Sequence, residues 1–337
     1  MLLNFSIIIP VYNRPDEVRE LFHSLAEQRY DKPFEIVLVE DGSDLTSKKV
    51  VEEFKTVLDI VYLTKTNSGP GDSRNYGMKQ ASGNYFLILD SDCVLPPDYL
   101  QNVEDALSKE YVDCFGGPDT AHKSFSALQR AINYSMTSFW TTGGIRGHKS
   151  AARSFQPRSF NMGLSEKAFK ASGGFGNIHP GEDPDLSLRL KQLGYSIRLV
   201  PDAFVYHKRR ISFQSFTKQV YKFGLVRPIL NKWHKNSAKI IFWFPTLFIL
   251  GLLFSIMAVF IPWYWPLGIY GLYFLLLLID AWTRTGSLQI GLLAIPAVLI
   301  QFAGYGYGFL KSNILVNFSK KKPRELFPKL FFEPTTT

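Results

Sequence analysis

Cysteine is scarce. The 337 residues contain two, Cys93 and Cys114, and their spacing fits neither a disulfide framework nor a metal-binding pair. That agrees with a reducing compartment. Acidic residues are outnumbered, 29 Asp and Glu against 38 Lys and Arg, for a net charge of +9. Charge is missing altogether from two long stretches, the 40 positions from Ile240 to Ile279 and the 25 from Gly286 to Leu310. Roughly 20 apolar residues span a bilayer as a helix. The first stretch is long enough for two spans, with a turn at Pro262-Trp263-Tyr264-Trp265-Pro266, and too long for a buried core helix. The chain therefore reads as a multi-pass membrane protein. Its N-terminus, "MLLNFSIIIPVYNR", lacks a basic n-region and a small-residue cleavage site, and Pro10 and Asn13 interrupt the apolar run. It reads as the first strand of a soluble domain that stays on the cytoplasmic face.

The excess positive charge is concentrated. From Arg198 to Lys239 there are ten Lys or Arg against one acidic residue, Asp202, and this stretch leads directly into the first apolar run. Basic residues beside a span favour the cytoplasmic side and attract anionic headgroups. No recognised nucleic-acid motif accompanies them, which argues for membrane lipids as partners and against nucleic acid.

Before that point, strand-like and helix-like segments alternate. Apolar runs at Ser6–Val11, Phe34–Val39, Ile60–Leu63 and Tyr85–Leu89 are separated by helical patterns at Asp16–Gln28, Lys48–Leu58 and Asp72–Gln80. This βαβ rhythm predicts an α/β domain with a parallel sheet and helices on both faces. Ligands in such sheets bind at the carboxyl ends of the strands. Polar clusters sit there: "PVYNR", "EDGSD" and "DSD". Residues 119–159 show no clean period and carry His122, Lys123, Arg130, Arg146, His148, Lys149, Arg153 and Arg158. They read either as a mobile basic loop near the site or as solvated surface. Farther on, "GEDPDLSLRLKQLGY" predicts a helix with Leu186, Leu190 and Leu193 on one face, and "SIRLVPDAFVYH" a strand ending in His207.

Each polar cluster admits two readings. In Asp90-Ser91-Asp92 an extended backbone would point both carboxylates to one side, where they could hold a hard divalent cation and through it a diphosphate; an ordinary acidic turn is the alternative. Asp41, before Gly42-Ser43, is either an Asx turn or a carboxylate that recognises a nucleobase. "NSGPGDSRNYG" opens a helix whose N-terminus, with Arg74, suits an anion, or is simply capped by Asp72 or Ser73; it is neither a P-loop nor a G-x-G-x-x-G fingerprint. Glu182, Asp183 and Asp185 at a helix start complement the macrodipole whether or not they do chemistry. His207 could be a satisfied strand-end histidine.

Taken together, "SIIIPVYNR", "VLVEDGSD", "GPGDSRNYG", "GNYFLILDSD", "GGFGNIHPGEDPDLSLRLKQLGY" and "PDAFVYH" make residues 6 to roughly 227 resemble the inverting family 2 glycosyltransferases, which have the GT-A nucleotide-sugar fold. The resemblance implies that Pro10 and Tyr12 line the nucleotide pocket and that Asp41 recognises the base. It sets Arg74 near the donor diphosphate, Asp90 at the ribose or metal, and Asp92 on a divalent ion, Mg²⁺ or Mn²⁺. His207 matches a histidine that helps bind metal or diphosphate, and Asp183, in the Glu-Asp motif, would be the catalytic base. The implied partners are a nucleotide-sugar donor, with uracil the family-weighted base, and a saccharide or polyprenyl-linked acceptor.

Two departures matter. The usual Asp-Asp-Gly-Ser turn is Glu40-Asp41-Gly42-Ser43, and the Gln-x-x-Arg-Trp of processive synthases is missing, since Gln219 and Arg227 are too far apart and no Trp follows. Single-sugar addition is thus expected over chain polymerisation. A processive synthase, or a membrane scaffold with a degenerate transferase domain, are the alternatives. The expected organisation is a GT-A domain over 1–228, a basic juxtamembrane segment over 229–239, a membrane region over 240–310 and a basic tail over 311–337. The lysines of that tail argue for a cytoplasmic C-terminus. Pro296, Gln301 and the "GYGYG" run leave the third apolar segment re-entrant or interfacial.

Overall fold

A computed structural model describes residues 2–120, 125–143, 155–208, 212–235 and 237–332. The first half alternates β1 (Phe5–Val11), α1 (Pro15–Ala26), β2 (Glu35–Asp41), α2 (Lys48–Phe54), β3 (Ile60–Lys65), α3 (Pro70–Gln80), β4 (Tyr85–Leu89), β5 (Cys93–Val94), α4 (Tyr99–Lys109), β6 (Cys114–Gly116) and β7 (Asp119–Thr120). Then come α5 (Ala127–Thr137), α6 (Phe139–Thr142), β8 (Asn161–Ser165), α7 (Glu166–Ser172), α8 (Glu182–Gln192), β9 (Ile197–Leu199), β10 (Val205–His207) and α9 (Phe213–Trp233). Three apolar helices follow: α10 (Phe244–Ala258), α11 (Trp265–Thr285) and α12 (Leu288–Phe318).

Seven strands form one sheet in the order β3-β2-β1-β4-β8-β6-β9. The β1–β2, β2–β3, β1–β4 and β6–β9 pairs are parallel, while β8 runs antiparallel to both neighbours. Both faces are buried, which is why the strands read as unbroken apolar runs. Ile7, Ile9, Leu38 and Leu87 join Val18, Leu21, Phe22 and Val103 in one core cluster. Ile8, Val39 and Ile88 join Met78, Phe169, Leu186 and Leu190 in the other. A small sheet, β5-β10-β7, is separate.

Three local expectations change. The segment ending in His207 is two strands in two sheets, because Pro201 cannot donate to a ladder and the chain turns there. Leu193 is 53% exposed, since α8 ends at Gln192 and Gly194 adopts φ +83°. In the stretch without a clean period, α5 forms behind a Ser126–Gln129 capping box and buries Ala131, Ile132, Ser135 and Met136. Of the basic residues named there, His122, Lys123, Arg146, His148, Lys149 and Arg153 lie outside the described residues.

The chain divides into two compact units, Met1–His122 with Gly147–Lys208 and Phe331–Thr337, and Lys123–Arg146 with Arg209–Leu330. Among the described residues of the second, three helices are long and apolar enough to cross a membrane: Ile240–Ala258, Trp265–Thr285 and Leu288–Phe318. The "GYGYG" run is explained by packing. A Cβ on Gly304 would meet Val220 at 2.6 Å and one on Gly308 the Tyr221 carbonyl at 2.4 Å, both on α9, whereas one on Gly306 would strike the α10 backbone at 2.9 Å. Small residues let these helices approach closely. Gly224 of α9 completes the seam, its Cβ position lying 2.2 Å from the Tyr305 carbonyl. Gly224→Leu should therefore destabilise this bundle by about 1–3 kcal/mol, read as a lower Tm in detergent. An unchanged Tm would contradict the packing.

Candidate active site

The strand ends bring the polar clusters together. Pro10 is buried in β1 opposite Val39, and Tyr12, just past the strand, is 50% exposed. Asp41 closes β2 and is buried. Its Oδ1 accepts from Lys65 Nζ at 2.7 Å and the Ser68 N–H at 3.0 Å, and its Oδ2 accepts from the Gly69 N–H at 3.0 Å. A carboxylate has about four acceptor positions, so Asp41 ties the loop before α3 to β2 and keeps little capacity beyond that. Glu40, the departure from Asp-Asp, is buried and accepts from the Ser47 N–H and the Tyr62 hydroxyl.

The two carboxylates of Asp90-Ser91-Asp92 diverge, because Ser91 and Asp92 form a turn rather than extended chain. Asp90 Oδ1 meets Arg74 Nη2 at 2.7 Å. The Arg74 side chain is 3% exposed, reaches Glu182 Oε1 through Nη1 at 3.2 Å, and stands 5.3 Å from the centre of the Phe175 ring. Glu182 Oε1 also meets His179 Nδ1 at 2.8 Å. Asp92 pairs with Arg14 at 3.0 Å and with His207 Nε2 at 3.2 Å.

His207 is held by the small sheet, where it pairs in register with Cys93. Its Nδ1 lies 3.7 Å from Asp119 on β7, and its ring stacks on Phe160. Asp92, Cys93 and His207 offer ligand atoms within 4.8 Å of one another. Burial pushes the Cys93 thiol well up, with the Asp92 and Asp90 charges adding to it, and its sulfur donates to the Phe160 carbonyl. Carboxylate and imidazole donors fit Mn²⁺ or Mg²⁺, whereas a protonated thiol is not a ligand to either. Asp119 stands where an outer partner would orient the imidazole.

Asp183 begins α8 beside Glu182, and the two behave oppositely. Burial pushes Glu182 up, but the His179 and Arg74 charges outweigh it and hold the group down. Asp183 Oδ1 is shut from solvent without a hydrogen-bond partner. Burial, then the Glu182 charge, raise Asp183 to about 6 against the opposing pull of Arg74 and Arg158. A carboxyl poised in this range accepts a proton more readily than an ordinary surface aspartate.

Residues 6–169 match the family model for Glycosyl transferase family 2. The match covers just under half of the chain and supports a family 2 glycosyltransferase fold there. Staphylococcus aureus TarS, a poly(ribitol-phosphate) beta-N-acetylglucosaminyltransferase, is 36% identical over 115 residues, 33% of this chain and 20% of TarS. The chain thus spans about a fifth of the length of TarS in that match. Glycosyltransferase AglE of Haloferax volcanii is 24% identical over 225 residues, 65% of this chain and 71% of AglE. Among solved structures, the mannosyltransferase PcManGT from Pyrobaculum calidifontis, in complex with GDP-Man and Mn²⁺, superposes with a TM-score of 0.54 at 16% identity, covering 96% of this chain and 89% of that one. S. aureus TarS 1–349 gives 0.51 at 18%, covering 95% and 93%. The fold is GT-A-like, as the motifs led one to expect.

Sequence reasoning about the site missed Arg14, Lys65, Asp119 and His179. Arg14 stood inside "PVYNR" without a role, although a cation at the next strand end was a usable signal for the Asp92 partner. Asp119 and Lys65 become visible only through strand pairing.

The Asp183 environment has a consequence for stability. A folded-state value near 6, above the ordinary 3.8, means the folded protein favours the neutral acid. That stability is present below about pH 4 and lost as pH rises through 6. Asp183→Asn should therefore raise stability at pH 8, by on the order of 1–3 kcal/mol, and change it little near pH 4. Simple helix-dipole complementarity requires the opposite sign at pH 8, a loss of about 0.3–1 kcal/mol. Melting curves at the two pH values decide.

Proposed function

We propose that this chain is a membrane-anchored, metal-dependent, inverting glycosyltransferase. It moves one sugar from a nucleotide-sugar donor to a hydroxyl of a saccharide or polyprenyl-linked acceptor. The observation that carries the reading is Asp183. It is a carboxylate kept basic by its surroundings, at a helix start in a family 2 domain, beside a Glu182 whose own charge is already engaged by Arg74 and His179. In this reading Asp183 takes the acceptor proton as the hydroxyl attacks the anomeric carbon. Pro10 and Tyr12 line the nucleotide pocket, and Asp41 offers its remaining acceptor capacity to the base. Arg74 acts on the donor side through Asp90 rather than by direct contact, since its guanidinium is buried between two carboxylates. Asp92 and His207 would hold the divalent ion, which when bound offsets charge on the departing diphosphate. PcManGT, bound to GDP-Man and Mn²⁺, supports a nucleotide-sugar donor and a divalent metal.

Single addition is favoured over polymerisation, because Gln219 and Arg227 are two turns apart on α9. The match to Escherichia coli chondroitin synthase, 25% identical over 236 residues, keeps a saccharide acceptor in view. A processive enzyme would betray itself by product length.

The activity is tested by assaying a panel of nucleotide sugars with and without chelator. Asp183→Asn should cost at least about 10²-fold in turnover with donor affinity nearly unchanged. Asp92→Asn and chelator should each abolish transfer, and Mn²⁺ or Mg²⁺ should restore it after chelation. Full activity in chelator would remove the metal, and an active Asp183→Asn would remove the base.

The localisation we propose is the cytoplasmic face, with both ends of the chain on that side. Phe331 pairs with Ile178, so the chain returns to the first unit after its apolar helices. An odd number of crossings would strand it on the far side, so at most two of the three candidate spans go through. The one that does not is α12, whose C-terminal half lies along α9, a helix with exposed Lys218, Lys222 and Lys232. Cys93 and Cys114 are buried and silent to a polar maleimide, so single cysteines report cleanly. Lys329→Cys and Glu27→Cys should label from the same face, and only after permeabilising cells. Labelling from opposite faces would overturn the topology.

A further inference from the structure

The last described residues, Phe331 and Phe332, belong to the same compact unit as the sheet. Phe331 forms an antiparallel bridge with Ile178, and the Phe332 N–H donates to the Asn177 carbonyl at 3.1 Å. The Phe332 ring then touches two loops at once. On one side lies Gly69, where a Cβ would fall 2.4–2.6 Å from three ring carbons. On the other lies the His179 ring, with centroids 6.1 Å apart.

These neighbours are not arbitrary. Gly69 gives its N–H to Asp41, and His179 bonds the carboxylate of Glu182 beside Asp183. One phenylalanine from the far end of the chain therefore abuts both the loop that fixes the nucleotide-side aspartate and the loop that leads into the base motif. Gly69 answers to it twice. Its φ of +92° suits glycine, and only a missing side chain leaves room for the ring.

We infer that Phe332 is a positioning residue. The C-terminal segment is a strap that holds the Gly69 loop and the His179 loop in one arrangement, so that the donor side and the base are set together. This rests on the transferase reading above. Phe332 does no chemistry itself; it acts through Gly69 on Asp41 and through His179 on Glu182. Removing the ring should loosen both loops without unfolding the sheet, whose core clusters do not include it. Displacing reacting groups by about 1 Å can cost up to about 10²-fold in rate.

The test uses the full chain in detergent or nanodiscs, with Phe332→Ala and the milder Phe332→Leu. Amide hydrogen exchange is followed by mass spectrometry in peptides covering 67–75 and 176–183, alongside transfer kinetics and Tm. We expect faster exchange in both regions, a fall in kcat of about 10-fold or more, a nearly constant Tm, and partial rescue by leucine. Unchanged exchange in either region would overturn the strap. So would faster transfer in Phe332→Ala, which would make the tail an inhibitory plug. Should the wild-type chain transfer no sugar from any donor, the activity reading fails, and the exchange data still decide whether Phe332 couples the two loops.

Discussion

The rest of the site depends on one buried cation. Arg74, on the first turns of α3, sits between Asp90 at the end of β4 and Glu182 at the start of α8. A guanidinium out of water is tolerable only when its donors are satisfied by charge and hydrogen bonds. That requirement fixes the spacing of three elements at once. In the proposed mechanism it leaves Asp183, of the Glu182-Asp183 pair, to do the chemistry. Glu182 is engaged by Arg74 and His179, and burial, with the Glu182 charge adding to it, raises Asp183 above a surface aspartate.

Most of the sheet was legible in the sequence. β1 to β4 and α1 to α3 appear within a few residues of their apolar patterns, because a parallel sheet buried on both faces leaves unbroken runs of Ile, Val and Leu between amphipathic helices. What was not legible depends on partners distant along the chain. The β9–β10 segment looks like one strand locally, yet its two halves join different sheets. The α5 pattern of Ala131, Ile132, Ser135 and Met136 is present in the sequence, but the basic residues scattered around it mask the apolar spacing.

The site was legible as a set of positions and less so as a set of contacts. Asp90 and Asp92, one residue apart, were expected to point the same way; a turn sends one to Arg74 and the other to Arg14 and His207. The cations that compensate these carboxylates were in the sequence all along, but only the fold says which goes with which. Asp41 is more heavily engaged by backbone donors than an exposed recognition group would be. The contribution of Phe332 had no signal at all, since nothing local in "KLFFE" indicates a return to a loop centred on Gly69.

In the proposed mechanism burial, and after it the charge of the Arg74-bound Glu182, makes Asp183 the base. The most direct measurement is the pH dependence of kcat/KM for sugar transfer in the wild type and in Glu182→Gln, an isosteric change that removes the neighbouring charge. A wild-type acid limb near pH 6 is expected, and a limb displaced to lower pH in the variant, because Asp183 would then ionise more easily. An acid limb that stays where it was in Glu182→Gln would contradict it.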